Sequence, residues 1–351
     1  MSLVQISVEQ ALATRFDAVI DARSPAEFAE DHLTGAVNWP PLDDEQRRVV
    51  GTLYKQVDAL AARKLGAAMA GRNIVAHMEA FVQDKPRDWR PLVYCWRGGQ
   101  RSGSLAWFLS QIGFRTCQLS GGYKAWRANV RTDLLTLPRQ FSYRVLCGRT
   151  GSGKTRLLQA LRHEGAQVLD LEALACHRGS VLGAVPGQPQ PSQKRFDTLV
   201  WEALRGFDAR RPVFVESESR KVGALRVPEA LIEHMRASGL CLRVEMSDAA
   251  RLDLLLDEYG FFAQQVDVFN HALEGLIEPR GREQIARWRA QAQAGQWREL
   301  FGDLMTQHYD PLYQRSLARS FAQLESAQVV ALADGGEPAL HEAARRLVAA
   351  P

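Results

Sequence analysis

The stretch Pro91-Leu92-Val93-Tyr94-Cys95-Trp96-Arg97-Gly98-Gly99-Gln100-Arg101-Ser102 decides how this chain is read. A short β-prone run breaks into a glycine turn, and Ser102 through Leu109 then reads as a helix. That order leaves backbone N–H groups converging on one loop, and such a nest with a helix dipole behind it stabilises anions. The anion here includes the thiolate of Cys95, which Arg97, Arg101 and a helix N-terminus all favour. A cysteine is most often a small buried apolar residue. Placement at the mouth of a Gly-Gly turn between two arginines marks Cys95 instead as a nucleophile.

Upstream, residues 16–22 read as a short strand, and Ser24-Pro25-Ala26-Glu27-Phe28 as a capped helix start. Gly35–Pro40 is a second extended piece, followed by a long helical stretch over 43–83. Downstream come a helix over 102–112, a strand around Arg115–Leu119, and Ser120-Gly121-Gly122-Tyr123-Lys124-Ala125-Trp126. Alternating short strands and helices predict an α/β domain with a parallel sheet.

At 351 residues the chain exceeds one ordinary core, so two or three domains are expected. A hydrophobic share of 46% and a charged share of 24% are those of a globular protein. The five cysteines (95, 117, 147, 176 and 241) form no Cys-x-x-Cys pair, which argues against a zinc site or a disulfide framework and suits a reducing cytoplasm. No signal sequence and no apolar run of transmembrane length are seen, so no membrane partner is expected. Lys and Arg outnumber Asp and Glu by 18 to 14 in residues 1–142 and by 16 to 12 in 143–250, but trail by 10 to 14 in 251–351. A polyanion surface is therefore expected on the first two segments.

A new strand, Tyr143–Cys147, runs into Gly148-Arg149-Thr150-Gly151-Ser152-Gly153-Lys154-Thr155, with a helix beyond. This is G-x-x-x-x-G-K-[ST] in the strand–loop–helix context the motif requires. The glycines let N–H groups close around phosphate oxygens, Lys154 adds a point charge, and Thr155 offers a hydroxyl to phosphate or Mg²⁺. Gln167–Glu172 and Pro212–Lys221 read as strands whose ends carry Asp170, Glu172, Glu216 and Glu218, with Arg220 just beyond. Between them, His177-Arg178-Gly179-Ser180 opens a Gly/Pro/Gln loop, and His177, Arg178 and Ser180 are candidate substrate contacts. Residues 249–325 are mostly helical and contain Tyr309-Asp310-Pro311-Leu312-Tyr313.

The expected organisation is an N-terminal rhodanese-like parallel-sheet domain (1–130), a linker (131–142), a C-terminal P-loop α/β domain (143–250), a helical segment (251–325), and a closing strand and helix (326–351). Residues 16–126 resemble a rhodanese domain on Asp21–Phe28, Gly35–Pro40, the Cys95 loop and Leu119–Trp126. With the P-loop, Asp170-Leu-Glu172, His177–Ser180, Glu216–Arg220 and Tyr309–Tyr313 added, nearly the whole chain resembles bacterial tRNA 2-selenouridine synthases. The resemblance implies exchange of the sulfur of 2-thiouridine at the tRNA wobble position for selenium. Selenophosphate is the implied donor, and an S-geranylated uridine made from geranyl diphosphate the implied intermediate. It also implies that Cys95 is the essential rhodanese cysteine and that Gly148–Thr155 holds the prenyl diphosphate. No tightly bound cofactor is expected.

Ordinary rhodaneses carry Cys-x4-Arg, whereas Cys95 to Arg101 is Cys-x5-Arg, a length shared with rhodanese-fold phosphatases. The wider loop is expected to admit selenophosphate, with Arg97 and Arg101 on its oxygens and Cys95 attacking selenium. Rival readings are a sulfurtransferase fused to an ATP- or GTP-dependent kinase-like domain, a tRNA-binding scaffold whose P-loop senses nucleotide, and a phosphatase.

Overall fold

A computed structural model describes residues 3–313 and 327–350. The chain divides into two compact units, residues 1–133 and 134–351.

The first unit is a five-stranded sheet, parallel throughout, built from β1 (Val4–Ile6), β2 (Ala18–Asp21), β3 (Ala36–Asn38), β4 (Pro91–Tyr94) and β5 (Cys117–Leu119), in the order β1-β5-β4-β2-β3. All four residues of β4, the central strand, are buried, as expected of a strand covered on both faces. Helices cover the sheet, and Ile20, Trp39, Ile74, Trp89, Val93, Leu105 and Leu109 form the core with Cys95 among them. The long helix expected over 43–83 is two helices, Asp44–Gln56 and Ala59–Phe81. Asp58 divides them, because its carboxylate accepts the Ala61 amide and caps the second.

At the end of β2, Asp21 and Arg23 form a fully buried ion pair at 2.6 Å. Tyr94 donates its hydroxyl to Asp21 at 2.7 Å, Arg23 lies 3.9 Å from the Tyr123 ring centroid, and Tyr123 donates to Asp31 at 2.8 Å. This network ties β2, β4 and the helix after β5 together directly behind the Cys95 loop.

Residues 131–142, read as a linker, contain the boundary between the two units and carry regular structure. The helix Gly122–Thr136 runs on through them into a 3₁₀ turn at Leu137–Gln140. Trp126, Val130 and Leu134 are spaced four apart and buried, and the helix ends at Thr136, two residues before Pro138.

The second unit holds a parallel sheet of β6 (Tyr143–Cys147), β7 (Gln167–Leu169), β8 (Val213–Glu216), β11 (Leu240–Glu245) and β12 (Gln328–Ala331), in the order β12-β11-β6-β8-β7. A two-stranded antiparallel hairpin, β9 (Lys221–Val222) and β10 (Leu225–Arg226), follows β8 and escaped the sequence reading because each strand is only two residues long. The strand expected over 167–172 stops at Leu169, since Asp170 accepts the Ala173 amide at 2.9 Å and starts a helical turn, Leu171–Leu174. Glu172 thus sits on that turn rather than at a strand end. Helices from Asp248 onward form a separate apolar layer around Phe262, Phe269, Trp288, Phe301 and Leu304. The expected helical segment is helical as far as Tyr313, and residues 314–326 lie outside the described residues. No described helix is long and apolar enough to cross a membrane.

Asp21→Ala strands the fully buried Arg23 without its partner. We expect a loss of about 3–5 kcal/mol of stability, read by urea unfolding of the full chain; a loss under about 1 kcal/mol would show that the network does not hold the unit.

Candidate functional site

In the first unit the Cys95 loop is shaped from both flanks. Cys95 is 3% exposed, and its Sγ accepts a hydrogen bond from Ser102 Oγ at 3.0 Å. Gln118 Nε2 donates to Ser102 Oγ at 2.8 Å and to the carbonyls of Gly98 and Gly99 at 2.9 and 3.2 Å. From the other side, the amides of Tyr123 and Lys124 donate to the carbonyls of Cys95 and Trp96 at 2.8 and 3.0 Å. A Cβ on Gly122 would stand 2.2 Å from the Cys95 carbonyl oxygen, so only glycine permits this approach. Four carbonyls of the loop are thus tied to donors outside it, two on each flank, which fixes the shape of the turn that carries the thiol.

The two arginines divide. Arg97 is exposed beside the loop. Arg101 is committed to Glu27 at 2.8 Å, with Arg47 3.0 Å from the same carboxylate, so the expectation that it faces an anion at Cys95 is corrected. Burial pushes the Glu27 carboxyl up, but the Arg101 hydrogen bond and charge outweigh it and leave Glu27 below its ordinary range.

In the second unit β6 lies between β8 and β11, so the sheet order reverses there. Open α/β sheets leave a crevice beyond their strand ends at such a point. A cavity of about 580 Å³ occupies it, lined by Thr150–Arg156, Glu172, Arg178–Val181, Glu216–Ser219 and a wall from the helical layer that includes Leu255, Tyr259, His308, Tyr309, Leu312 and Tyr313. Gly153, at φ +83°, makes the left-handed turn that starts the helix Lys154–His163. Lys154 Nζ donates to the Gly148 carbonyl at 2.6 Å and stands 5.7 Å from the Tyr313 ring centroid.

Thr155 Oγ1 lies 3.2 Å from both Glu172 Oε2 and Glu216 Oε2. Carboxylate oxygens of Glu172, Glu216 and Glu218 fall within 4.8 Å of one another. Burial raises all three acids: Glu172 is pushed up to about 8 with the charge of Glu218 adding, and Glu216 goes well above its ordinary value, helped by Glu172 and Glu218.

Residues 141–278 match the tRNA 2-selenouridine synthase AAA domain family, and residues 6–129 match the rhodanese-like domain family. A tRNA 2-selenouridine synthase of Nitrosomonas europaea is 37% identical over 248 residues, 69% of this chain and 63% of that protein. That of Hydrogenovibrio crunogenus is 32% identical over 337 residues, 88% of this chain and 91% of that protein. The chain belongs to the tRNA 2-selenouridine synthase family. It spans a little under two thirds of the length of the first relative and nearly all of the second.

For this member of the tRNA 2-selenouridine synthase family, Thr150, Gly151, Ser152, Gly153, Lys154, Thr155, Glu172, Arg178, Ser180, Glu216 and Glu218 meet at the cavity. Arg178 Nη1 donates to the Glu258 carbonyl at 2.6 Å and its guanidinium lies 5.1 Å from the Tyr259 ring centroid, which pins the 177–180 loop to the helix Asp248–Tyr259. Five expected site residues are elsewhere. Asp170 is buried as a helix cap. His177 packs between Gly183 and Gly223, where a Cβ would lie 2.9 and 2.8 Å from its ring. Arg220 is exposed past the strand end. Arg149, with Gly148, faces a second opening of about 690 Å³ across the loop, and binds Asp248 at 2.9 Å and Asp310 at 3.1 Å.

The residues missed in sequence sit in the helical layer. Arg251, fully buried, donates from Nε and Nη2 to the Thr150 carbonyl at 3.0 and 2.7 Å, and pairs with Asp310 at 2.6 Å and Asp248 at 2.9 Å. The one sequence signal for this layer was Tyr309-Asp310-Pro311-Leu312-Tyr313. A hard divalent cation fits the acid cluster: among the described residues Glu216 Oε1 is buried without a hydrogen-bond partner, and Thr155 with three carboxylates supplies an all-oxygen donor set suited to Mg²⁺.

The raised acids set a pH dependence. Folded Glu172 keeps its proton to about pH 8, whereas the unfolded chain releases it near 4.5, so the native state binds more protons across that window and stability falls as pH rises through it. A Mg²⁺ ion held by these acids would replace those protons. The Tm gain from Mg²⁺ is therefore expected to grow from pH 5 to pH 8 and to shrink in Glu216→Gln, as followed by thermal melts; a gain independent of pH, or unchanged in the variant, would oppose this assignment.

Proposed function

We propose that this chain replaces the sulfur of 2-thiouridine at the tRNA wobble position with selenium. The P-loop cavity S-geranylates the base with geranyl diphosphate, and the Cys95 loop serves the step that uses selenophosphate. The observation that carries this reading is the make-up of the cavity. A phosphate loop at one end faces Leu255, Tyr259, Tyr309, Leu312 and Tyr313, a combination suited to a diphosphate with a hydrocarbon tail.

When diphosphate departs, its oxygens gain negative charge and the allylic carbon becomes cation-like. Lys154 and the loop N–H groups stabilise the oxygens, while the apolar wall keeps water from the cation-like carbon. Mg²⁺ held by Glu172, Glu216, Glu218 and Thr155 would neutralise diphosphate charge. The thiocarbonyl sulfur attacks the carbon, diphosphate leaves, and the ring N–H proton goes to solvent or a basic side chain.

Electron count constrains Cys95. Selenium in selenophosphate and sulfur in a thiolate are both fully reduced, so an S–Se bond would require two electrons to pass to phosphorus. The Cys95–selenium carrier expected from the loop therefore gives way to a balanced sequence. Selenium attacks C2 of the geranylated base, geranyl thiol leaves, and the phosphoryl group left on selenium passes to Cys95. The Se–P bond breaks as the S–P bond forms, and water then releases phosphate. The loop amides and Arg97 would hold that phosphoryl group.

Incubation with 2-thiouridine tRNA, geranyl diphosphate and selenophosphate, followed by nucleoside mass spectrometry, tests the whole reading. Lys154→Ala is expected to slow geranylation on the order of 10²–10³-fold. Cys95→Ser is expected to geranylate normally and to stop before 2-selenouridine. ATP turnover with no geranylated nucleoside would favour a sulfurtransferase joined to a nucleotide-dependent kinase-like domain.

A further inference from the structure

We infer that His308 is a fixed, neutral hydrogen-bond donor to the diphosphate in the P-loop cavity, and that Arg280 is its positioning residue. The inference rests on the geranyl diphosphate reading and extends it to a residue outside the phosphate loop.

His308 lines the cavity yet is only 3% exposed. Arg280 Nε donates to His308 Nδ1 at 3.0 Å, and Arg280 Nη2 donates to the His308 carbonyl at 3.2 Å. A guanidinium has no acceptor, so Nδ1 must be the acceptor and the single ring proton sits on Nε2. Burial, with the Arg280 charge adding, lowers the His308 pKa to about 4, so the ring is neutral at physiological pH. A full cation behind the ring polarises Nε2–H and favours an anionic oxygen over a neutral carbonyl as its acceptor. The backbone agrees: Leu304–Tyr309 is a π-helical turn, a form that concentrates at functional sites. It leads into the face on which His308, Tyr309, Leu312 and Tyr313 all line the cavity.

The test uses the full chain, with folding of each variant checked by thermal melt. His308→Phe keeps the shape and removes the donor, and is expected to lower kcat/KM for geranyl diphosphate on the order of 10²-fold and to weaken inorganic pyrophosphate binding in calorimetry. His308→Gln restores an N–H donor and is expected to recover activity to within about tenfold of the parent. In Arg280→Ala the imidazole is expected to titrate higher than in the parent, while burial still holds it below its ordinary range, and the ring proton is no longer confined to Nε2, both seen by ¹⁵N NMR. A folded His308→Phe within about twofold of the parent, a folded His308→Gln as inactive as His308→Phe, or a parent ring protonated on Nδ1 would each overturn the inference. Failure of the underlying reading looks different: the parent itself forms no geranylated nucleoside, while the pyrophosphate and NMR measurements still report on His308.

Discussion

Arg251 holds the second unit to its function. A fully buried guanidinium without partners would cost several kcal/mol. Here it is satisfied on three sides, by the Thr150 carbonyl, Asp310 and Asp248. Those partners belong to the phosphate loop, to the helical stretch that follows the π turn, and to the start of the helix Asp248–Tyr259. The loop therefore cannot take its shape without drawing the helical layer onto it. Asp310, fixed in this way, carries Tyr309, Leu312 and Tyr313 to the cavity wall. What would be an open phosphate site on a bare sheet becomes a lined cavity.

The first unit repeats the principle with different chemistry. Asp21 and Arg23 are buried together, and the hydroxyls of Tyr94 and Tyr123 extend the pair across to Asp31. Tyr94 immediately precedes Cys95, and Tyr123 donates its amide to the Cys95 carbonyl, so the network and the thiol loop share their anchors. Both units place a glycine-rich loop between a buried parallel strand and the helix that follows it. One arms the loop with a thiol, the other with Lys154 and a cluster of acids. The acids hold protons because burial and mutual repulsion disfavour three neighbouring charges.

Local patterns were legible wherever the residues that make a feature are neighbours in sequence. The strand–loop–helix order around Cys95 and around Lys154 needed only β-prone runs, glycines and helix starts, and both parallel sheets followed from the alternation of elements. Legibility failed where a competing local bond or a distant partner decided. Asp58 and Asp170 each end one element by capping the next, so a long helix became two and a strand became a turn. Arg101 reads as an anion ligand in sequence, but Glu27, on a helix more than seventy residues upstream, claims it. Arg149 follows the same rule: its acids, Asp248 and Asp310, are far along the chain.

The amino-acid sequence by itself determined two α/β units, a cysteine-bearing strand–loop–helix, a glycine-rich strand–loop–helix and a family resemblance, because these depend on short-range spacing. Only the tertiary structure decided which groups share a cavity. It placed Asp170, His177, Arg220, Gly148 and Arg149 outside that cavity, and brought in Tyr259, His308 and Tyr313. Burial is a property of the packed chain, and burial is what forces Arg251 to find its acids, raises the three glutamates and lets Arg280 dictate which nitrogen of His308 carries the proton.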